Sequence, residues 1–176
     1  MVLVVGLGNP GEEYKNTRHN AGFLVAEALL EQIRSLKSQT LNKSKIQIFK
    51  SQDFMNESGN FVKDLTVRYS LSPNNLYIIH DDLDIKLGEF KIQFGRGPKD
   101  HNGLKSIDEA LGTDQYWHVR IGIENRPERM GSPASAKATA GEKYVLQNFT
   151  TEEMKKLRTV IKEVCKKLAI LLKNTK

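Results

Sequence analysis

The sequence predicts an α/β protein: a single three-layer α/β/α domain, residues 1–176, built on a twisted, mostly parallel mixed central sheet. Three observations predict it. Short apolar runs of strand length alternate along the chain with stretches whose apolar residues recur at helical spacing. The run Leu76-Tyr77-Ile78-Ile79 has no polar alternate, as a strand covered on both faces requires. No internal repeat or compositional break divides the 176 residues, a length that buries most of one core.

Each element follows from local pattern. Val2 to Val5 is an apolar strand, closed by the turn Gly6-Leu7-Gly8-Asn9-Pro10-Gly11. Thr17-Arg18-His19-Asn20-Ala21-Gly22 then leads into an amphipathic helix with Phe23, Ala26, Leu29, Leu30 and Ile33 on one face. Ser35 to Lys45 is polar and reads as a loop before a short strand, Ile46 to Phe49. Asp53 to Gly59 is turn-like, and a helix with Phe61, Val62, Leu65 and Tyr69 inward ends at Ser72-Pro73-Asn74-Asn75. The buried strand Leu76 to Ile79 ends in His80-Asp81-Asp82-Leu83-Asp84. Phe90 to Phe94 is a further strand, and a loop from Gly95 to Gly103 opens a short helix that stops near Leu111-Gly112. Trp117 to Ile123 alternates as a strand, and Asn125 to Lys143, rich in Gly, Pro, Ser and Ala, reads as a long loop. Thr150-Thr151-Glu152-Glu153 is a capping box. Beyond it Met154, Leu157, Ile161, Val164, Leu168 and Leu171 form a core stripe. Lys155, Lys156, Arg158, Lys162, Lys166, Lys167 and Lys173 cover the opposite face, which reads as solvated in preference to a binding surface.

Composition bounds the function. A single cysteine, Cys165, allows no disulfide within the chain and points to an intracellular, cytoplasmic protein. Met1 runs directly into a strand, so neither a secretory signal nor a membrane span is expected. The net charge of +6 suits a polyanionic partner without requiring one, because solvated lysines give the same value.

His19 lies between a strand end and a helix start, where open α/β sheets bind ligands. A histidine is also the side chain most easily poised as a base near neutral pH. Gly6, Gly8 and Gly11 fit a dinucleotide fingerprint. However, Pro10 interrupts the turn, the helix begins late, and Glu27 and Glu31 fall inside it, not at the end of a second strand. His80, Asp81, Asp82, Asp84 and His101 are competent metal ligands, but none is spaced as a metal motif, so no metal or other cofactor is expected. The remaining reading is hydrolysis by a His19–Asp81 pair. The carboxylate would fix the imidazole tautomer while the ring takes a proton from water. No serine or cysteine occupies a nucleophile elbow, which leaves water as the nucleophile. The carboxamides of Asn9, Asn56 and Asn102 both donate and accept, which suits gripping a peptide main chain.

Taken together, four blocks resemble the bacterial peptidyl-tRNA hydrolase family over nearly the whole chain. They are Val5 to Gly11 continuing through Tyr14 to Gly22, Phe54-Met55-Asn56-Glu57-Ser58-Gly59, His80-Asp81-Asp82-Leu83-Asp84, and Gly97 followed by His101 to Ile107. The resemblance implies cleavage of the ester between a peptide and the 3′-terminal ribose of tRNA by a monomer. It makes His19 the base, Asp81 its partner and Asn9 a positioning residue. It assigns Asn56 and Asn102 to the peptide and the water, and Tyr14 and Met55 to the pocket wall. His101 reads as a loop-shaping residue. Lys91, Lys99, Lys105 and Arg120 are implied contacts to acceptor-stem phosphates. Three departures stand out: a short stretch between Leu36 and Phe54, a longer loop at 125–143, and Asp100 and Gln93 at positions often Gly and basic. The last two weaken the local positive field. The alternative of another class is a noncatalytic RNA-binding relative.

Overall fold

Five strands form one sheet at the centre of the computed structural model, which describes residues 1–35, 45–98, 100–126 and 141–174. They are β1 (Val2–Gly6), β2 (Ile46–Lys50), β3 (Leu76–Lys86), β4 (Phe90–Phe94) and β5 (Trp117–Glu124), in the order β2-β1-β3-β5-β4. β2, β1, β3 and β5 are parallel, and β4 is antiparallel to β5. The longer helices among the described residues are α1 (Ala21–Ser35), α2 (Ser58–Arg68), α3 (Asn102–Leu111) and α4 (Thr151–Asn174). The expected loop over 36–44, Lys99, residues 127–140 of the long loop and the side chain of Lys173 lie outside the described residues.

Alternation along the strands builds the layers. Val2 and Val4 of β1 and Tyr77 and Ile79 of β3 face one way, into a core with Val25 and Leu29 of α1 and Leu157, Val164 and Leu168 of α4. Leu3, Val5, Leu76 and Ile78 face the other way, against Val62 and Leu65 of α2 and Leu104 and Ile107 of α3. The three-layer mixed architecture is as expected. The α1 stripe is rotated slightly: Val25 is fully buried, while Leu30 and Ile33 stay part-exposed.

Two features differ from the expected outline. β3 does not end at Ile79. β5 pairs with it from Tyr77 through Asp82 and again at Lys86, so His80, Asp81 and Asp82 are ladder residues, not a solvated acidic turn. β4 follows β3 after only three residues yet does not pair with it, because β5 lies between them. The chain crosses over the end of β5, and Gly122 permits the crossing: a Cβ there would stand 2.2 Å from the Lys86 carbonyl oxygen. The capping box forms as read. Thr150 N donates to Glu153 Oε2 at 2.8 Å and Glu153 N donates to Thr150 Oγ1 at 3.2 Å.

Candidate active site

β1 ends at Gly6, and the turn beyond it carries Asn9 to the C-terminal edge of the sheet. Asn9 is buried and clamped from both sides. Its N–H donates to Asn20 Oδ1 at 2.8 Å, and its carbonyl accepts from Asn20 Nδ2 at 3.0 Å. Its own Oδ1 accepts from Met55 N at 2.9 Å, tying the Met55–Asn56 turn to the first loop. Asn9 Nδ2 has no partner among the described residues, which leaves one donor for a ligand.

His19 sits in a single 3-10 turn, Arg18–Asn20, directly before α1. Gly22 allows that approach, since a Cβ there would meet the Ile79 carbonyl oxygen at 2.3 Å and Leu7 backbone atoms at 2.5 to 2.7 Å. The turn is also stitched to a distant segment. Arg18 N donates to the Gln147 carbonyl at 3.0 Å, and Phe149 N donates to the Asn16 carbonyl at 2.9 Å. The Arg18 guanidinium is buried and donates to both Glu153 oxygens at 2.8 and 2.7 Å and to the carbonyls of Gln147 and Asn148. It lies 4.2 Å from the centre of the Tyr144 ring.

From this anchored turn, His19 Nδ1 meets Asp81 Oδ1 at 2.8 Å. The two residues lie 62 positions apart in the chain, and the sequence makes their pairing plausible. The same Oδ1 also receives His101 Nε2 at 3.0 Å. Because His101 Nδ1 accepts from Leu104 N at 3.3 Å, capping α3, its proton must lie on Nε2. His101 therefore does shape its loop, and it also donates to the carboxylate. That second bond was not read from the sequence, where His101 is expected only to shape its loop.

The charges follow from this geometry. Burial acts to raise the Asp81 carboxyl, but the two histidines, by charge and hydrogen bond, outweigh it and hold the group far below the usual carboxylate range. For His19, burial acts downward, yet the Asp81 charge and hydrogen bond win and raise it above 6.5. The His19 side chain is 12% exposed, and its Nε2 has no partner among the described residues. The arrangement is an imidazole held by an ionised carboxylate, with one nitrogen open to take a proton. Ligand-competent atoms of His19, Asp81 and His101 all lie within 4.8 Å, as in metal sites. Here, however, both nitrogens are engaged as donors to one shared oxygen.

The other residues singled out from the sequence divide. Tyr14 is part-buried, with its ring edge-on to Phe54 at 6.3 Å, and Met55 is buried where α3 begins, against Gly103. Asn56 and Asn102 are exposed on these adjoining segments, with amides unbonded among the described residues. Lys91 is exposed, and Lys105 is exposed but paired with Asp100 at 2.6 Å. Arg120 is a correction. It is 7% exposed, its Nε donates to the buried Asp82 at 2.7 Å and its Nη1 to Gln93 at 3.0 Å, so it braces the sheet and cannot reach a phosphate. A groove of about 730 Å³ begins at Asn9 and Asn20 and runs between α1 and β2 past Phe23, Leu30 and Ile48, without His19 or Asp81 in its lining.

A carboxylate-held histidine beside free carboxamides, at the C-terminal edge of an open α/β sheet, fits a hydrolytic enzyme. Comparison with known proteins narrows that class. The family model for peptidyl-tRNA hydrolase matches residues 3–176. The chain is 39% identical over 181 residues to the peptidyl-tRNA hydrolase of Mycobacterium leprae, covering 97% of this chain and 86% of that protein. It is 41% identical over 180 residues to that of Campylobacter hominis, covering 99% and 76%. The crystal structure of the Acinetobacter baumannii peptidyl-tRNA hydrolase superposes with a TM-score of 0.77 at 30% identity, over 98% of this chain and 88% of that one. The chain belongs to the peptidyl-tRNA hydrolase family and is a hydrolase.

Proposed function

We propose that this hydrolase cleaves the ester joining a peptide to the 3′-terminal ribose of tRNA, freeing the tRNA for reuse, with water activated by His19. The observation that carries this reading is the 2.8 Å His19–Asp81 contact that leaves Nε2 unbonded. Nε2 takes a proton as the water oxygen attacks the ester carbonyl. Asp81 stabilises the imidazolium so formed, which then returns the proton to the departing ribose oxygen. Asn9 fixes the Met55–Asn56 turn and offers its Nδ2. Asn56 and Asn102 hold the peptide main chain and the water, and Tyr14 and Met55 wall the pocket. Lys91 and Lys105 contact acceptor-stem phosphates, with Asp100 tempering Lys105. The chain acts as a cytoplasmic monomer in one domain, and among the described residues no helix is long and apolar enough to cross a membrane.

Turnover of an N-acetylated aminoacyl-tRNA tests this. Release of the blocked amino acid supports the hydrolase, whereas binding without release would mark the noncatalytic RNA-binding alternative. Two further results are expected. Asn102→Ala should raise KM for a peptide-bearing substrate by about 2- to 10-fold, the worth of one hydrogen bond, with tRNA affinity unchanged. Identical KM values in variant and parent would remove Asn102 from the peptide site. The second concerns pH. The base must be neutral and its titration is raised, so kcat/KM should fall as pH drops through a value above 6.5. Asp81 stays ionised throughout and adds no second acid limb. A profile flat from pH 6 to 8 would exclude His19 as the base.

A further inference from the structure

We propose that His80 is a positioning residue for this site: its imidazole replaces the strand neighbour that β1 no longer supplies and holds the Asp81 backbone in place. The proposal rests on reading His19 and Asp81 as the reacting pair. Along β3, carbonyls point alternately to the two neighbouring strands. The Ile79 carbonyl accepts from Leu7 N at 2.9 Å, on the β1 side, so the Asp81 carbonyl two residues on points the same way. The β1 register ends at Gly6–Ile79, and among the described residues no strand bonds it there. His80 Nδ1 lies 2.8 Å from that carbonyl oxygen, which can only accept, so Nδ1 carries the proton and donates. β3 thereby extends past the end of β1 with its backbone satisfied, and Asp81, still paired with β5, stands where His19 and His101 reach it.

The opposite nitrogen supports a specific role. His80 is fully buried, and its Nε2 has no hydrogen-bond partner among the described residues. An apolar side chain would leave no such orphan, so the position holds histidine for what Nδ1 does. The ring is fixed between His101 at 5.2 Å and His118 at 5.6 Å, both near edge-on. The titratable groups facing His80 are these two histidines and Asp81; those facing His19 are Asp81 and His101. Burial first, then the two neighbouring imidazoles, push His80 well below 6.5, so it stays neutral and does not compete for the charge of Asp81.

The experiment follows the His19 ring by NMR titration and measures kcat and KM, in the parent, His80→Leu, His80→Asn and His80→Gln. Asparagine places an amide N–H near the Nδ1 position, whereas glutamine places it near Nε2. In the parent and His80→Asn, His19 should titrate above about 6.5. In His80→Leu and His80→Gln it should titrate lower, with kcat reduced about 10- to 100-fold at unchanged KM, the effect of a carboxylate displaced by about 1 Å. Equal His19 titration in parent and His80→Leu, or an asparagine variant no better than the glutamine variant, would overturn the proposal. The comparison of Asn with Gln decides the matter if the leucine variant does not fold. Ring titration needs no substrate, so a parent with the raised His19 titration but no ester turnover would sink the hydrolase reading and leave the role of His80 standing.

Discussion

Replacing His19 with alanine should lower ester turnover by about 10²–10⁴-fold, the range for removing a positioned general base, with tRNA affinity unchanged. The affinity is expected to hold because His19 contacts Asp81 and has no phosphate-binding role. Asp81→Asn should impair turnover comparably and leave a second signature. Burial acts to lower the His19 titration, and only the Asp81 charge and hydrogen bond reverse that. With a neutral amide in place of the carboxylate, burial prevails and the acid limb of kcat/KM should move below 6.5, opposite to its position in the parent. The two substitutions therefore differ in kind: His19→Ala removes the limb, and Asp81→Asn shifts it. His101→Ala should do less, since one donor to Asp81 Oδ1 is lost while the His19 bond at 2.8 Å remains. Stopped or quenched assays on N-blocked aminoacyl-tRNA across pH 5 to 9 separate these cases. An Asp81→Asn variant with the parent's rate and acid limb would show that the 2.8 Å contact does not support catalysis.

Much of this site was legible because its parts lie where local pattern is strongest. The apolar β1 run, the glycine turn and the helix after Asn20 place His19 at a strand end, and the continuous apolar run Leu76 to Ile79 places Asp81 just past it on the same edge of the sheet, although β3 itself runs on to Lys86. Segments at the C-terminal ends of neighbouring parallel strands lie on one edge, which makes a His19–Asp81 pair plausible without fixing their contact. The role expected of Arg120 failed for the converse reason. Trp117 to Ile123 alternates as a half-exposed strand would, but β5 is an interior strand of a sheet covered on both faces, so Arg120 is buried and paired internally with Asp82. Strand order is not written in the alternation of any one strand. The same holds for the reach of β3: His80 to Asp84 looks like the end of the strand until β5 is known to lie beside it. The second donor to Asp81 was hidden because capping α3 already accounts for His101, and nothing local marks its other nitrogen.

The contact between Arg18 and Glu153, 135 residues apart, was equally invisible in the sequence, and breaking it should have the largest effect on stability. Glu153→Ala leaves a buried guanidinium without its counter-charge and also removes the capping box, so a loss of about 3–5 kcal/mol is expected in urea unfolding. Glu153→Gln keeps an acceptor for Thr150 N and should lose less. A combined Arg18→Met and Glu153→Leu chain removes both charges and should recover part of the loss. Recovery is incomplete because the carbonyls of Gln147 and Asn148 lose the Arg18 donor. The pair also sets a direction with pH. Burial acts to raise the Glu153 carboxyl, but donors from Thr150, Asn125 and Arg18 hold it below its ordinary value. Its contribution to stability is therefore complete above the unfolded value of about 4.3 and is lost as pH falls through the lower folded value. Because Arg18 precedes His19 in the same 3-10 turn, loosening the pair should also blur the 2.8 Å contact, so Glu153→Ala should lower kcat at temperatures where the chain is still folded. Unfolding free energies equal in the parent and Glu153→Ala would mean that the turn carrying His19 is held by its backbone bonds to Gln147 and Phe149 alone.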